Sequence, residues 1–415
     1  MTRTGEGVTG GRGARQDVTR RINSEAVLSL LRTDGPLSRA ALSRQVGLAK
    51  ATVSSVVEEL IAAGVVHESG QGASAPAGGR PPRLLSVDPS SRHLVGVAIG
   101  ARTTTVVVTD ALGDTLARCS ATTPGGPPRS TIGAAAGLIH DLLHEAGAQD
   151  SSVAAVGVVV PGIVDPTTSV CLLAPNLGWH DVAVADLLGQ EFSAPIFVHN
   201  TAQAVVVAEA EDGAARGYDD VVCVYASTGV GAGMLRGGRV VLGGAGVAGE
   251  LGHCTVPGAT ETCNCGKVGC LETVASGPAI ERAAARALAA GRRSTLGELS
   301  RPVTTRDVAA AAATGDRLAL TLIEQAAEIL GTATSWLVNI VNPGIVIVTG
   351  GLADVGPLLL EPMEAAMRRD ALPQAVRGLS LRPAALGADA PIRGAVLLAR
   401  QYADDHFRTV FRSNA

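Results

Sequence analysis

The sequence predicts a multidomain α/β protein, with a small winged helix-turn-helix head ahead of a two-lobed α/β body built from a duplicated βββ-α-β unit. Three observations point there. The 415 residues exceed what one hydrophobic core usually organises. Charge changes sign along the chain: residues 1–93 hold 12 Lys and Arg against 8 Asp and Glu, a net +4, whereas the remainder sums to −8. Near His93 the apolar pattern switches from helical spacing to strand-like runs broken by glycines.

Residues 1–20 read as a flexible arginine-bearing tail without the apolar stretch of a secretory signal. The head is expected over 21–88. Val27, Leu28, Leu30 and Leu31 mark a first helix, closed by the turn "TDGP". Ser38 suits the N-cap of a second helix, and Gly47 the tight turn after it. Val53, Val56, Val57, Leu60 and Ile61 fall on one face of a third helix. "GVVHES" and "RLLSVD" then form a wing around the loop "GQGASAPAGGRPP".

A first α/β lobe is expected over 92–200, with three strands, the helix "TIGAAAGLIHDLLHEAG" and the enclosed strand "VAAVGVVVPG". The same order recurs over 201–389, so the body reads as an internal duplication with a cleft between its lobes. A last helix, 390–407, is expected to pack back on the first lobe. Aromatic residues are only 2% of the chain, so these cores must be built from Ala, Val, Leu and Ile. No apolar run approaches the length of a membrane span. Seven cysteines, an odd number and mostly clustered, fit a cytoplasmic chain better than a disulfide framework.

In the third helix Glu58 and Glu59 would repel phosphates if the helix lay flat in a groove, so its N-terminal turn must enter first. Lys50, Ala51, Thr52 and Ser55 are therefore the expected groove residues, with Arg80 and Arg83 of the wing on the minor groove or backbone. The partner would be a double-stranded, palindromic DNA operator. The competing reading is a helical hairpin for protein contact.

The stretch "GELGHCTVPGATETCNCGKVGCLE" (249–272) crowds four cysteines, one histidine and three acids. His253, Cys263, Cys265 and Cys270 make a tetrahedral zinc set with no position left for a catalytic water. Redox use would call for a C-x-x-C pair, which is absent. One structural zinc ion is expected, pinning a pocket wall that carries Glu250 and Glu272. Fixed carboxylates and an oriented imidazole suit a polyhydroxylated ligand; the bland reading makes the two acids solvated loop charges.

The same stretch resembles the signature of the ROK family of sugar kinases and sugar-responsive repressors, G-E-x-G-H followed by C-x-C-G-x-x-G-C-x-E. "GPLSRAALSRQVGLAKATVS", "GGRPPRLLSVDP", "VVVPGIVD", "APNLGW" and "VHNTAQAVVVAEA" extend the likeness along the repressor branch, which includes xylose- and N-acetylglucosamine-responsive members. The resemblance implies an actin-like, ribonuclease H-like ATPase body and a homodimer or homotetramer. It implies zinc on His253, Cys263, Cys265 and Cys270, and sugar contacts from Asn176, Asn200, Glu250, His253 and Glu272. The chain departs from the kinases in two places. The general-base aspartate is Thr201, and the phosphate motif D-x-G-x-T reads "AIGAR", with Ala98 and Arg102 at its ends. A lost base costs on the order of 10²–10⁴ in rate, so the expectation is a kinase-inactive, sugar-responsive repressor. An active hexose kinase, or a regulator answering to a protein, are the alternatives.

Overall fold

The computed structural model describes residues 11–73 and 81–410. The head comprises α1 (Gly11–Thr33), β1 (Leu37–Ser38), α2 (Arg39–Val46), α3 (Lys50–Ala62), β2 (Val66–Gln71) and β3 (Arg83–Val87). Helix α1 takes in residues 11–20, assigned above to a tail; with only Ala14 and Val18 apolar among them, no stripe betrays the helix. Ser38 caps α2, accepting from the Ala41 amide at 3.2 Å, and Gly47 turns the chain at φ +74°. Val53, Val56, Val57 and Leu60 are buried with Val27, Leu28, Leu31 and Leu42 in the head's core. The wing sheet, ordered β1-β3-β2, gains a two-residue strand too short to show a period. Ala111 and Leu112, which follow the head in sequence, also enter its core.

The first lobe runs β4 (His93–Ile99), β5 (Thr103–Thr109), β6 (Thr115–Thr122), α4 (Pro128–Glu145), β7 (Val153–Val160), β8 (Ile163–Asp165), β9 (Val170–Ala174), β10 (Trp179–Val182), α5 (Val184–Leu188) and β11 (Ile196–Asn200). The second runs α6 (Thr201–Glu211), β12 (Val221–Ala226), β13 (Val230–Arg236), β14 (Arg239–Val240), α7 (Glu272–Ala275), α8 (Gly277–Ala289), α9 (Thr305–Ala313), α10 (Arg317–Val341), β15 (Ile345–Thr349), α11 (Pro357–Asp370) and β16 (Ser380–Pro383), and α12 (Ala390–Val410) closes the fold. The two main sheets are ordered β11-β7-β4-β5-β6 and β14-β13-β12-β15-β16. Read from the meander edge, each follows the order third, second, first, fourth, fifth strand, which is the duplication inferred above. In each, the antiparallel meander meets a parallel strand that arrives after a helical crossover. Strands β8, β9 and β10 make a separate small sheet beside the cleft.

Between the main sheets lie α12 and α6. A Cβ at Gly157 of β7 would stand 2.1 Å from the Ala395 carbonyl of α12, and one at Gly233 of β13 would stand 2.0 Å from the Ala202 carbonyl of α6. Bare glycine backbones thus seat one helix on each sheet. No helix among the described residues is long and apolar enough to cross a membrane.

Candidate functional site

The cleft holds a cavity of about 400 Å³. Asn176, Asn200, Glu250, His253 and Glu272 all line it, as do Ala98 and Thr201. Six separate elements bring them together: the turn after β9, the end of β11, the start of α6 for Thr201, the 3-10 turn Leu251–His253 with Glu250 at its N-cap, the start of α7 and, for Ala98, strand β4. Glu272 accepts a hydrogen bond from the Val230 amide at 3.0 Å. A Cβ on Gly229 would lie 2.5 Å from Glu272 Oε2 and 3.2 Å from Asn176 Nδ2, so the two side chains converge on that glycine's bare face. Burial, with the Glu272 charge adding to it, pushes Glu250 up to about 7. Burial also raises Glu272, against the Val230 hydrogen bond and the nearby Arg282 charge.

Asn200 sits in the cavity wall with most of its amide already engaged. Its Nδ2 donates to the Gly162 carbonyl at 2.8 Å, while Oδ1 accepts from the Ala202 amide at 2.7 Å and the Gln203 amide at 3.4 Å. It is the N-cap of α6 first, and one N–H remains for a ligand. Thr201, next to it, opens that helix. Among the residues lining the cavity only Glu250 and Glu272 carry carboxylates.

Behind this wall, one donor atom from each of His253, Cys263, Cys265 and Cys270 falls within 4.8 Å of every other. Zn–S bonds near 2.3 Å give a tetrahedral S···S edge of about 3.8 Å; Cys265 Sγ and Cys270 Sγ are 3.7 Å apart. His253 Nδ1 is 3.7 Å from Cys263 Sγ, whereas Nε2 is 3.7 Å from Glu250 Oε2. One ring nitrogen therefore faces the sulfurs and the other the cavity. Burial pushes the Cys270 thiol up to about 12, with Cys265 and Cys263 adding to it, so three thiolates fit here only around a cation. The donor set suits zinc. Backbone bonds from the Cys263 amide to the Lys267 carbonyl (2.7 Å) and from the Gly266 amide to the Cys263 carbonyl (2.9 Å) fold the loop that gathers the sulfurs. Cys254 points away and is exposed; Cys171 and Cys223 are buried elsewhere.

On the head, Lys50, Ala51 and Ser55 are exposed and Thr52 is half-buried at the start of α3. Ala49, at the N-cap, makes no side-chain cap. Arg83 is tied to Glu68, which also takes Arg39 at 3.4 Å and is held below the usual carboxylate range by the Arg83 hydrogen bond. Arg83 thus stands at the loop end of the β2–β3 pair as half of an ion pair. Arg80 lies outside the described residues.

Residues 20–67 match the family model for winged helix-turn-helix DNA-binding segments, and residues 94–402 match that of the ROK family. The chain belongs to the ROK family. It is 27% identical over 381 residues to the xylose repressor of Bacillus spizizenii, covering 92% of this chain and 95% of that protein. A solved ROK family transcriptional regulator, a homologue of the Escherichia coli Mlc protein, superposes with a TM-score of 0.82 at 27% identity, covering 94% of this chain and 98% of the other. A ROK glucokinase from Streptomyces griseus, solved with glucose and AMPPNP, superposes with a TM-score of 0.66 at 31% identity, over 74% of this chain and 99% of its own. The body therefore has the actin-like sugar-kinase fold, and the head is the part shared with the regulator's length.

The structure adds cavity residues that sequence reasoning missed. Gly229 and Val230 shape the Glu272 carboxylate, and Pro391 and Ile392 of α12 close one side. "STGVGAG" signalled the first pair as a glycine-rich turn; the α12 residues have no local signal.

Proposed function

We propose that this ROK protein is a sugar-responsive transcriptional repressor without kinase activity, its effector cavity braced by one zinc ion on His253, Cys263, Cys265 and Cys270. One observation carries the reading. A hydroxyl-binding wall of Asn176, Asn200, Glu250, His253 and Glu272 shares its cavity with Ala98 and Thr201, where phosphoryl transfer needs carboxylates. The bound ion would supply rigidity: with Nδ1 committed to the metal, His253 keeps Nε2 toward Glu250 and the ligand. Sugar bridges the lobes and favours a closed body. In a homodimer or homotetramer working in the cytoplasm, that closure alters the spacing of two α3 helices over a palindromic duplex. Lys50, Ala51, Thr52 and Ser55 enter the major groove, while Arg80 and Arg83 of the wing reach the minor groove or backbone.

The test is footprinting on DNA selected from a random pool, with and without D-xylose, D-glucose or N-acetyl-D-glucosamine. Release by one sugar supports the reading. An unchanged footprint under sugars that bind, or ATP-dependent phosphorylation of any of them, overturns it.

A further inference from the structure

Among the described residues, one turn of the body enters the head's core, beside a separate packing of α12 against α1. Asp110 accepts from the amides of Leu112, Gly113 and Asp114, each at 2.9 Å, so the turn between β5 and β6 is rigid. Its Ala111 is fully buried in the head's core, and the Ala111 amide donates to the Pro89 carbonyl at 3.0 Å. From the other side, Arg393 of α12 donates to the Gly113 carbonyl at 3.0 Å and, through Nε, to Asp212 Oδ2 at 2.6 Å. Asp212 is the C-cap of α6. One guanidinium thus holds three parts: the turn plugged into the head, the helix on the first-lobe sheet, and the helix on the second-lobe sheet.

Both helices also begin at the cavity. Pro391 and Ile392, just ahead of Arg393, line it, and so do Asn200 and Thr201 at the start of α6. Each helix is seated on its own sheet by backbone contact, so movement of one lobe against the other must shear the α6–α12 boundary. At that boundary a Cβ on Gly394 would lie 2.2 Å from the Ala204 carbonyl, leaving no side chain to absorb a slide. The Arg393–Asp212 pair is about one-third exposed on either side, which gives it little weight as a stabiliser. Its geometry is that of a latch.

We infer that Arg393 is the residue through which the state of the cavity reaches the DNA-binding head, by linking lobe closure to the Asp110–Asp114 turn. This regulation rests on the sugar-repressor reading above. Two arms separate the two. In the first, DNA affinity is measured by fluorescence anisotropy with and without saturating D-xylose, D-glucose or N-acetyl-D-glucosamine, for the full chain and for Arg393→Ala. In the second, Thr201→Phe fills part of the cavity from α6, and its effect on DNA affinity is measured in both backgrounds without sugar.

The expected result is a shift in the parent of about 5–150-fold, shrinking to within about twofold in Arg393→Ala, whose sugar-free DNA affinity and melting temperature stay near the parent's. Arg393→Lys, which keeps the charge opposite Asp212 without a fork to reach Gly113, should shrink it too and guards against loss of fold. If sugars do nothing while Thr201→Phe shifts affinity only when Arg393 is present, the latch stands and the sugar reading falls. Equal shifts with and without Arg393, or none in the parent in either arm, overturn the latch.

Discussion

Single residues set the chemistry of the cavity, and Gly229 is the sharpest case. Any side chain there must push against both Glu272 and Asn176. Gly229→Ala should therefore weaken sugar binding at least about tenfold, or 1.4 kcal/mol, with little change in melting temperature; titration calorimetry checks both. His199 makes a different prediction. It is buried in β11, its ring 5.6 Å from that of Tyr402, and its Nε2 has no hydrogen-bond partner among the described residues. Burial lowers it from 6.5 to about 4. Above pH 6.5 the ring is neutral whether the chain is folded or not. Between 6.5 and 4 only the unfolded chain takes up the proton, so stability falls with pH across that window, by on the order of 3 kcal/mol. Burial of Glu250, raised to about 7, works in the opposite sense over much of that range, so the test is a difference: between pH 6.5 and 4 urea midpoints should drop further with falling pH in the parent than in His199→Phe. Asn200 illustrates why a residue's role is hard to read from a string: "HN" is a signature and its capping of α6 is local, but the bond to Gly162 exists only once β11 lies beside β7.

Among elements, the metal loop and α3 invite opposite manipulations. Removing the ion with a strong chelator, or making Cys265→Ser, should lower the melting temperature and abolish sugar binding while leaving duplex affinity near the parent's, since no ligand lies in the head. Metal analysis should find one zinc per chain before treatment. Helix α3 lacks a cap at Ala49. Ala49→Ser should add about 1 kcal/mol to unfolding, measured by denaturant titration, because the backbone there is already extended at ψ 143°. Elements with a period were legible in the sequence: the stripe of α3, the runs of β7 and β15, the repeated meanders. So was the metal loop, whose ligands lie within 18 residues of one another. The β8–β10 sheet was not, because strands of three to five residues hold too little pattern. Nor was the first half of α1, which has no apolar stripe, or the closure of the cavity by α12, which depends on packing between chain segments some 190 residues apart.

At the scale of the molecule, the duplicated sheets and the two helices between them form a clamp whose jaws meet at the cavity. Saturating sugar should reduce the radius of gyration in small-angle scattering and change duplex affinity together; a compaction that leaves DNA binding untouched would separate the two motions and contradict the latch at Arg393. The head's core also contains Ala111, contributed from beyond β5. Its boundary in space is thus not its boundary in sequence. Anyone splicing this reader onto another sensor by cutting at residue 88 would leave a socket open to water; a working hybrid has to import the 110–114 loop as well, together with a basic side chain placed to grip it.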